Sequence, residues 1–280
     1  MKRHYPRVLS IAGSDSGGCA GIQADLKTIA ALGGFGMTAV TAVTVQNTTG
    51  VRAVHAVPPD IIRGQIAAVA EDIGLDAVKS GMLADAETVR LVAECLKQYR
   101  PPFYVLDPVM VATSGDALVL EETAGALKNE LMPLATVVTP NLKEAELLAG
   151  HRIETVEDMQ EAAAGLLACG CKAVLVKGGH LGGDDMTDVL CIAGEDRPRL
   201  FSTPRVPTGN LHGTGCTLSS AIAVCLALGY PLAEAVGRAK KYISEAIAAG
   251  ADITTGHGHG PVCHSCSPVR MQILEEPVMP

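Results

Sequence analysis

Five consecutive residues, His212-Gly213-Thr214-Gly215-Cys216, offer more chemistry than any other stretch of this chain. They lie between a polar loop, Pro207-Thr208-Gly209-Asn210, and an apolar run that predicts a helix from Cys216 to Leu228. Two glycines let the backbone turn tightly and come close to a ligand. A helix start leaves backbone N–H groups without partners, and with the helix dipole these favour an anion such as a transferring phosphoryl group. A thiolate at Cys216 is favoured by the same N-terminus and would be a candidate base. An ordinary glycine-containing loop that caps a helix uses the same residues, so the segment alone leaves both readings open.

The elements around it must place such a loop on a rigid frame. Strand-like runs are expected at Arg7 to Ala12, Met37 to Val45, Ala53 to Val57, Ala77 to Lys79, Phe103 to Asp107, Thr136 to Thr139, Ala173 to Lys177, Asp188 to Ile192 and Leu200 to Thr203. Helices are expected at Gln23 to Leu32, Pro59 to Ile73, Ala86 to Tyr99, Glu121 to Leu131, Leu142 to Ala149, Val156 to Ala168 and Leu232 to Ala249. Alternation of the two means βαβ units and a mainly parallel sheet covered on both faces. With no repeat, charge block or linker, residues 1–280 read as one α/β domain. Ligands of such sheets bind at the carboxyl ends of strands. Polar and glycine residues follow six strands in turn: 13–18, 46–48, 80–82, 107–108, 139–141 and 177–179. Each is ordinary turn chemistry alone; together they suggest a shared rim.

Composition narrows the partners. The formal charge of −8 argues against nucleic acid, and 3% aromatic residues with no Trp argue against base-stacking platforms. No run approaches the ~20 apolar residues of a membrane span, and Val8 to Gly13 is too short for a secretion signal. Nine cysteines, an odd number scattered through apolar segments, suggest reduced thiols and a cytoplasmic protein.

Longer motifs are more specific. They are Ile11 to Gly18, Ala20 to Thr28, Gln46-Asn47-Thr48, Gly81-Met82-Leu83, Asp107-Pro108-Val109-Met110, Ser114-Gly115-Asp116, Thr139 to Glu146, Val176-Lys177-Gly178-Gly179-His180 and His212 to Thr217. On these, nearly end to end, the chain resembles the bacterial hydroxymethylpyrimidine/phosphomethylpyrimidine kinases of thiamine synthesis, within the ribokinase-like superfamily. The resemblance implies a three-layer α/β/α fold that transfers phosphoryl groups from Mg-ATP. The acceptors would be 4-amino-5-hydroxymethyl-2-methylpyrimidine and then its monophosphate. It also implies a homodimer.

It assigns residues as well. Gly213, Thr214, Gly215 and Cys216 would hold the moving phosphoryl with backbone N–H groups, and Cys216 would be the base. A neutral thiol is a weak base, so the helix start must lower its pKa. Lys177 would clamp phosphate as a point charge, joined on the nucleotide by Thr214 and Asn141. Asn141 and Glu144, three residues apart on one helix face, would organise Mg²⁺ largely through water. A capping pair uses the same two residues, and both readings can hold together. Asp107 would be a further metal or charge-tuning residue. Gln46 and Asp25 would read the aminopyrimidine ring, with Gly13, Val45, Met82 and Val109 as walls. Gln46 marks pyrimidine kinases from pyridoxal-preferring relatives, the alternative on this scaffold; a third reading is a non-catalytic pyrimidine-binding protein.

Two departures stand out. Before the glycine loop the family has a basic residue, where this chain has Gly209-Asn210-Leu211-His212. The tail from Gly256 to Cys266 is rich in His and Cys, a composition that could bind Zn²⁺ or Ni²⁺. Its glycines, Pro261, Val262 and His264 match the family ending, which favours a loop near the nucleotide instead.

Overall fold

A computed structural model describes residues 2–110, 121–179 and 181–276. The motif Ser114-Gly115-Asp116 and His180 lie outside the described residues. In chain order the elements are β1 (Lys2–His4), β2 (Arg7–Asp15), α1 (Gly21–Ala31), β3 (Phe35–Asn47), β4 (Gly50–Ala56), α2 (Pro59–Asp72), β5 (Ala77–Ser80), α3 (Ala86–Tyr99), β6 (Phe103–Leu106), α4 (Glu121–Ala126), β7 (Val137–Val138), α5 (Leu142–Ala149), α6 (Val156–Leu167), β8 (Ala173–Val176), β9 (Asp185–Ile192), β10 (Arg199–Pro204), α7 (Thr214–Ala227), α8 (Leu232–Ala249) and β11 (Leu274–Glu276).

Nine strands form one sheet in the order β10-β9-β8-β7-β6-β5-β2-β3-β4. From β3 to β8 all neighbours are parallel, while β4, β9 and β10 each run antiparallel to the strand they join. The parallel strands are apolar on both sides, as a doubly covered sheet requires. Alternate residues go to alternate faces. Leu9, Val78, Leu106 and Val174 pack against α2 to α6, whereas Val8, Ala77, Val105 and Ala173 pack against α1, α7 and α8. The expected three layers are therefore present. The edges differ from this pattern. Among the described residues β4 has no second neighbour, and its residues after Gly50 are exposed.

Three local features differ from expectation. A short β1–β11 ladder joins the two ends of the described chain. The helix expected through Leu131 changes at Leu127 to a π-helical turn ending at Leu131. The helix expected from Cys216 begins two residues earlier, at Thr214, because Gly213 takes a left-handed turn (φ 83°) and caps it. No helix among the described residues is long and apolar enough to cross a membrane.

Candidate functional site

The glycine loop enters α7 at the carboxyl ends of the central strands. A side chain at Gly213 would collide with the Cys19 carbonyl oxygen, so the left-handed turn and the close approach both demand glycine. Of the four N–H groups expected to face an anion, that of Thr214 donates to the Leu211 carbonyl at 3.3 Å. Among the described residues, those of Gly215 and Cys216 find no acceptor. Fewer unpaired donors thus stand at the helix start than the sequence suggests.

Beneath it lies an ion pair. Lys177, just past β8, places Nζ 2.9 Å from Asp107 Oδ1 at the end of β6. Asp107 Oδ2 accepts from Ser219 Oγ on α7 at 3.2 Å, and a methyl group at Gly215 would lie 3.2 Å from Lys177 Nζ. Burial opposes ionisation of both partners, yet their mutual attraction prevails. Lys177 is held above its usual range by Asp107 and Glu144, and Asp107 below its own by Lys177 and Lys79. Asn141 adjoins Lys177 through a parallel bridge and caps α5. Its side chain accepts from Glu144 N at 3.0 Å, and Glu144 Oε2 accepts from Asn141 N at 2.8 Å. The capping reading is therefore realised. It leaves Glu144 buried, and burial pushes its carboxyl up to about 7; Lys177 pulls it down, while the Asp107 charge adds to the rise.

Two expectations need correction here. The first concerns Cys216. The half-buried thiol is pushed up to about 11, not lowered. Burial dominates and Lys79 works against it, but the Asp25 and Asp107 carboxylates raise it again. The second concerns Asp25. Its carboxylate is fully buried, with Lys79 Nζ 3.0 Å from both oxygens, Ser10 Oγ at 2.5 Å and Ser220 Oγ at 2.7 Å. Each oxygen already accepts two hydrogen bonds, so none is left for a ring. Asp25 is a supporting charge beneath the pocket, not a reader of it.

Gln46 stands at the end of β3, half-buried. Its amide Nε2 donates to His212 Nε2 at 3.2 Å, and its Oε1 accepts from Thr44 Oγ1 at 3.1 Å. Gly13 adjoins Met82, since a methyl group at Gly13 would lie 2.6 Å from Met82 Cε. Val109 is half-buried and its N–H bonds the Asp107 carbonyl at 2.8 Å. Val45 is 56% exposed on the β3–β4 ribbon, so the structure does not bring it against the other wall residues. Beside the α7 start, an open cleft of about 440 Å³ runs between loops 207–210 and 251–258. Asn210 ties the two loops, donating to the carbonyls of Gly250 and Ile253 at 2.7 Å each.

Some contributors went unnoticed in the sequence. Lys79 sits fully buried within Ala77–Ser80; a lysine inside an apolar strand was the available signal. Asp188 accepts from Gly178 N at 3.0 Å and pairs with Lys240 at 2.8 Å, which steadies the turn after Lys177. No local pattern links residues 52 apart. His264 is buried, its Nε2 3.0 Å from Thr217 Oγ1, so this tail residue braces α7.

A helix start with unpaired N–H groups and a Lys–Asp pair thus meet at the strand ends of a parallel sheet covered on both faces. A family model for phosphomethylpyrimidine kinase matches residues 15–263. A hydroxymethylpyrimidine/phosphomethylpyrimidine kinase of Rhizobium meliloti is 52% identical, with 91% of this chain and 96% of that one covered. The thiamine biosynthesis bifunctional protein ThiED of Geobacter sulfurreducens is 50% identical over 93% of this chain, which spans about half (53%) of that protein. Among solved structures, a phosphomethylpyrimidine kinase of Clostridium difficile aligns with TM-score 0.77 at 46% identity, over 86% of this chain and 99% of that one. A Bacillus subtilis pyridoxal kinase in complex with ADP aligns with TM-score 0.87 at 38% identity, over 94% and 98%. This chain belongs to the phosphomethylpyrimidine kinase family.

Proposed function

We propose that this chain transfers the γ-phosphoryl group of ATP to 4-amino-5-hydroxymethyl-2-methylpyrimidine and then to its monophosphate, as a step of thiamine biosynthesis. The observation that carries this reading is the meeting of three parts at the strand ends: the α7 start, the Lys177–Asp107 pair and Gln46. In the first transfer the substrate hydroxyl oxygen attacks the γ-phosphorus, the bond to the ADP oxygen breaks, and the hydroxyl proton must leave; in the second, an oxygen of the monophosphate attacks and the same bond breaks. The N–H groups of Gly215 and Cys216 stabilise the charge that spreads over the phosphoryl oxygens. Lys177 lies close enough to that helix start to share the work. Cys216 takes the proton as its thiolate, a minor form at neutral pH given the raised pKa. Gln46 hydrogen-bonds the ring, and Gly13 beside Met82 leaves room for it. The cleft between loops 207–210 and 251–258 has no Lys or Arg in its lining, which suits the nucleoside end of ATP.

The donor set suits a hard divalent cation. Asp107 and Glu144 are two buried carboxylates beside the Lys177 ammonium, and burial pushes the Glu144 carboxyl up to about 7. These oxygens would hold Mg²⁺, largely through water, and the ion would neutralise phosphate charge. A cytoplasmic homodimer completes the proposal.

An ATP-consumption assay with hydroxymethylpyrimidine, its monophosphate and pyridoxal tests it. Turnover on the two pyrimidines is expected. Preference for pyridoxal, whose Bacillus subtilis kinase shares the fold, would reverse the assignment, and no turnover at all would leave a binding protein.

A further inference from the structure

We propose that Asp15, Cys19 and His212 form a binding site for a thiophilic divalent cation of the Zn²⁺ class at the mouth of the substrate pocket. One ligand atom from each residue lies within 4.8 Å of the other two, and all three residues are buried. Tetrahedral Zn²⁺ with ligands at roughly 2.0–2.3 Å needs ligand atoms about 3.3–3.8 Å apart, an inward shift of about 1 Å. A sulfur, an imidazole nitrogen and a carboxylate suit this class of ion better than Mg²⁺.

The fold builds this arrangement in detail. The Asp15 carboxylate accepts N–H bonds from Gly17 at 2.8 Å, Cys19 at 3.0 Å and Ala20 at 2.8 Å, which curls the turn and brings Cys19 back over the carboxylate. Oδ1 accepts only the first of these and retains a lone pair. Gly213, with no side chain, lets the Cys19 carbonyl press against the residue after His212. The His212 ring receives the Gln46 amide on Nε2, so that nitrogen carries the lone pair, and a backbone hydrogen bond with His259 steadies the ring. The fourth coordination position would be open to water or a substrate atom. The tail residues His257, Cys263 and Cys266 do not take part.

A bound ion would staple the turn after β2 to the entrance of the phosphoryl loop. It would also compete with the Gln46 amide for the His212 lone pair. On the reading of Gln46 as the ring-recognising residue, occupancy therefore lowers pyrimidine phosphorylation.

The test is a Co²⁺ titration of the full-length, reduced and chelator-treated protein. One equivalent should give thiolate-to-cobalt charge-transfer absorption and tetrahedral visible bands, and Zn²⁺ should displace it. Cys19→Ala should lose the thiolate band and weaken Zn²⁺ binding at least tenfold with an unchanged melting temperature, and His212→Gln should weaken it similarly. A Cys263→Ala/Cys266→Ala variant should bind like the native protein. A thiolate band that survives Cys19→Ala, or that never forms in the native protein, overturns the site. In a separate arm, Zn²⁺ should slow the native kinase and not Cys19→Ala. Binding without slowing overturns the competition with Gln46 and leaves the metal site standing.

Discussion

At the floor of the site, charged side chains are buried and paired: Lys79 with Asp25, Lys177 with Asp107, Lys240 with Asp188. At the rim, Val43, Val45 and Val54 of the β3–β4 ribbon are about half exposed, and the half-buried Gln46 amide is held by His212 and by Thr44 of its own strand. The floor holds its charges in a low-dielectric surround, where an unpaired charge is costly and geometry is tightly determined. The rim faces solvent, where losing one hydrogen bond costs little because water replaces it. Damage to the floor should therefore cost stability or the chemical step, and damage to the rim should cost recognition alone.

The largest effect is expected at the deepest pair. Lys79→Met leaves the buried Asp25 carboxyl without its partner, and removing one partner of a buried pair costs about 3–5 kcal/mol. Urea denaturation measures this. Adding Asp25→Asn should recover part of the loss, and equal stability of Lys79→Met and native protein would contradict the idea of a charge-locked floor.

Next comes Cys216→Ser. If the thiol is the base, turnover falls by a factor of ~10²–10⁴ while ATP affinity holds, since the N–H donors remain. The raised pKa adds a signature. The thiolate fraction grows tenfold per pH unit up to about 11, so the native rate should climb with pH above neutrality and the variant's should not. Parallel single-turnover profiles would assign the whole contribution to the backbone N–H groups.

The rim should respond more mildly. Gln46→Met removes ring contacts worth about 1–3 kcal/mol, a loss of roughly 10–100-fold in kcat/KM for the pyrimidine. Nucleotide affinity, read by calorimetry, should stay unchanged; a fall in ATP binding would erase the distinction between floor and rim.

A separate effect, confined to acid pH, concerns His264. Burial, with help from the Lys27 charge, lowers this imidazole to about 4 in the folded chain, against an ordinary 6.5. Protons therefore bind the unfolded chain first. Its contribution to stability is full above pH 6.5 and is lost as the pH falls toward 4. Melting temperature should decline across that window in native protein and decline less in His264→Gln.

Much of this was legible in the sequence because it rests on neighbours along the chain. The periods of 2 and 3.6 placed the helices and strands; Ala86–Tyr99, Leu142–Ala149 and Leu232–Ala249 match residue for residue. The Asn141–Glu144 capping box joins residues three apart and could be read as such. The glycine loop could likewise be assigned to a helix start, since backbone N–H groups are left unpaired at any such start.

Only the tertiary structure decided what the side chains of that loop and its surroundings can do. Asp25 looks like a free acceptor until Lys79, 54 residues away, and Ser220, 195 away, close around it. Cys216 looks activated by its helix until burial and two carboxylates outweigh the nearby Lys79 charge and push its thiol up. Asp15, Cys19 and His212 come together only because the turn after β2 packs on Gly213. Periodicity and capping are short-range and survive in a linear reading, whereas pKa, hydrogen-bond satisfaction and metal-ligand geometry depend on which distant groups share a dry interior.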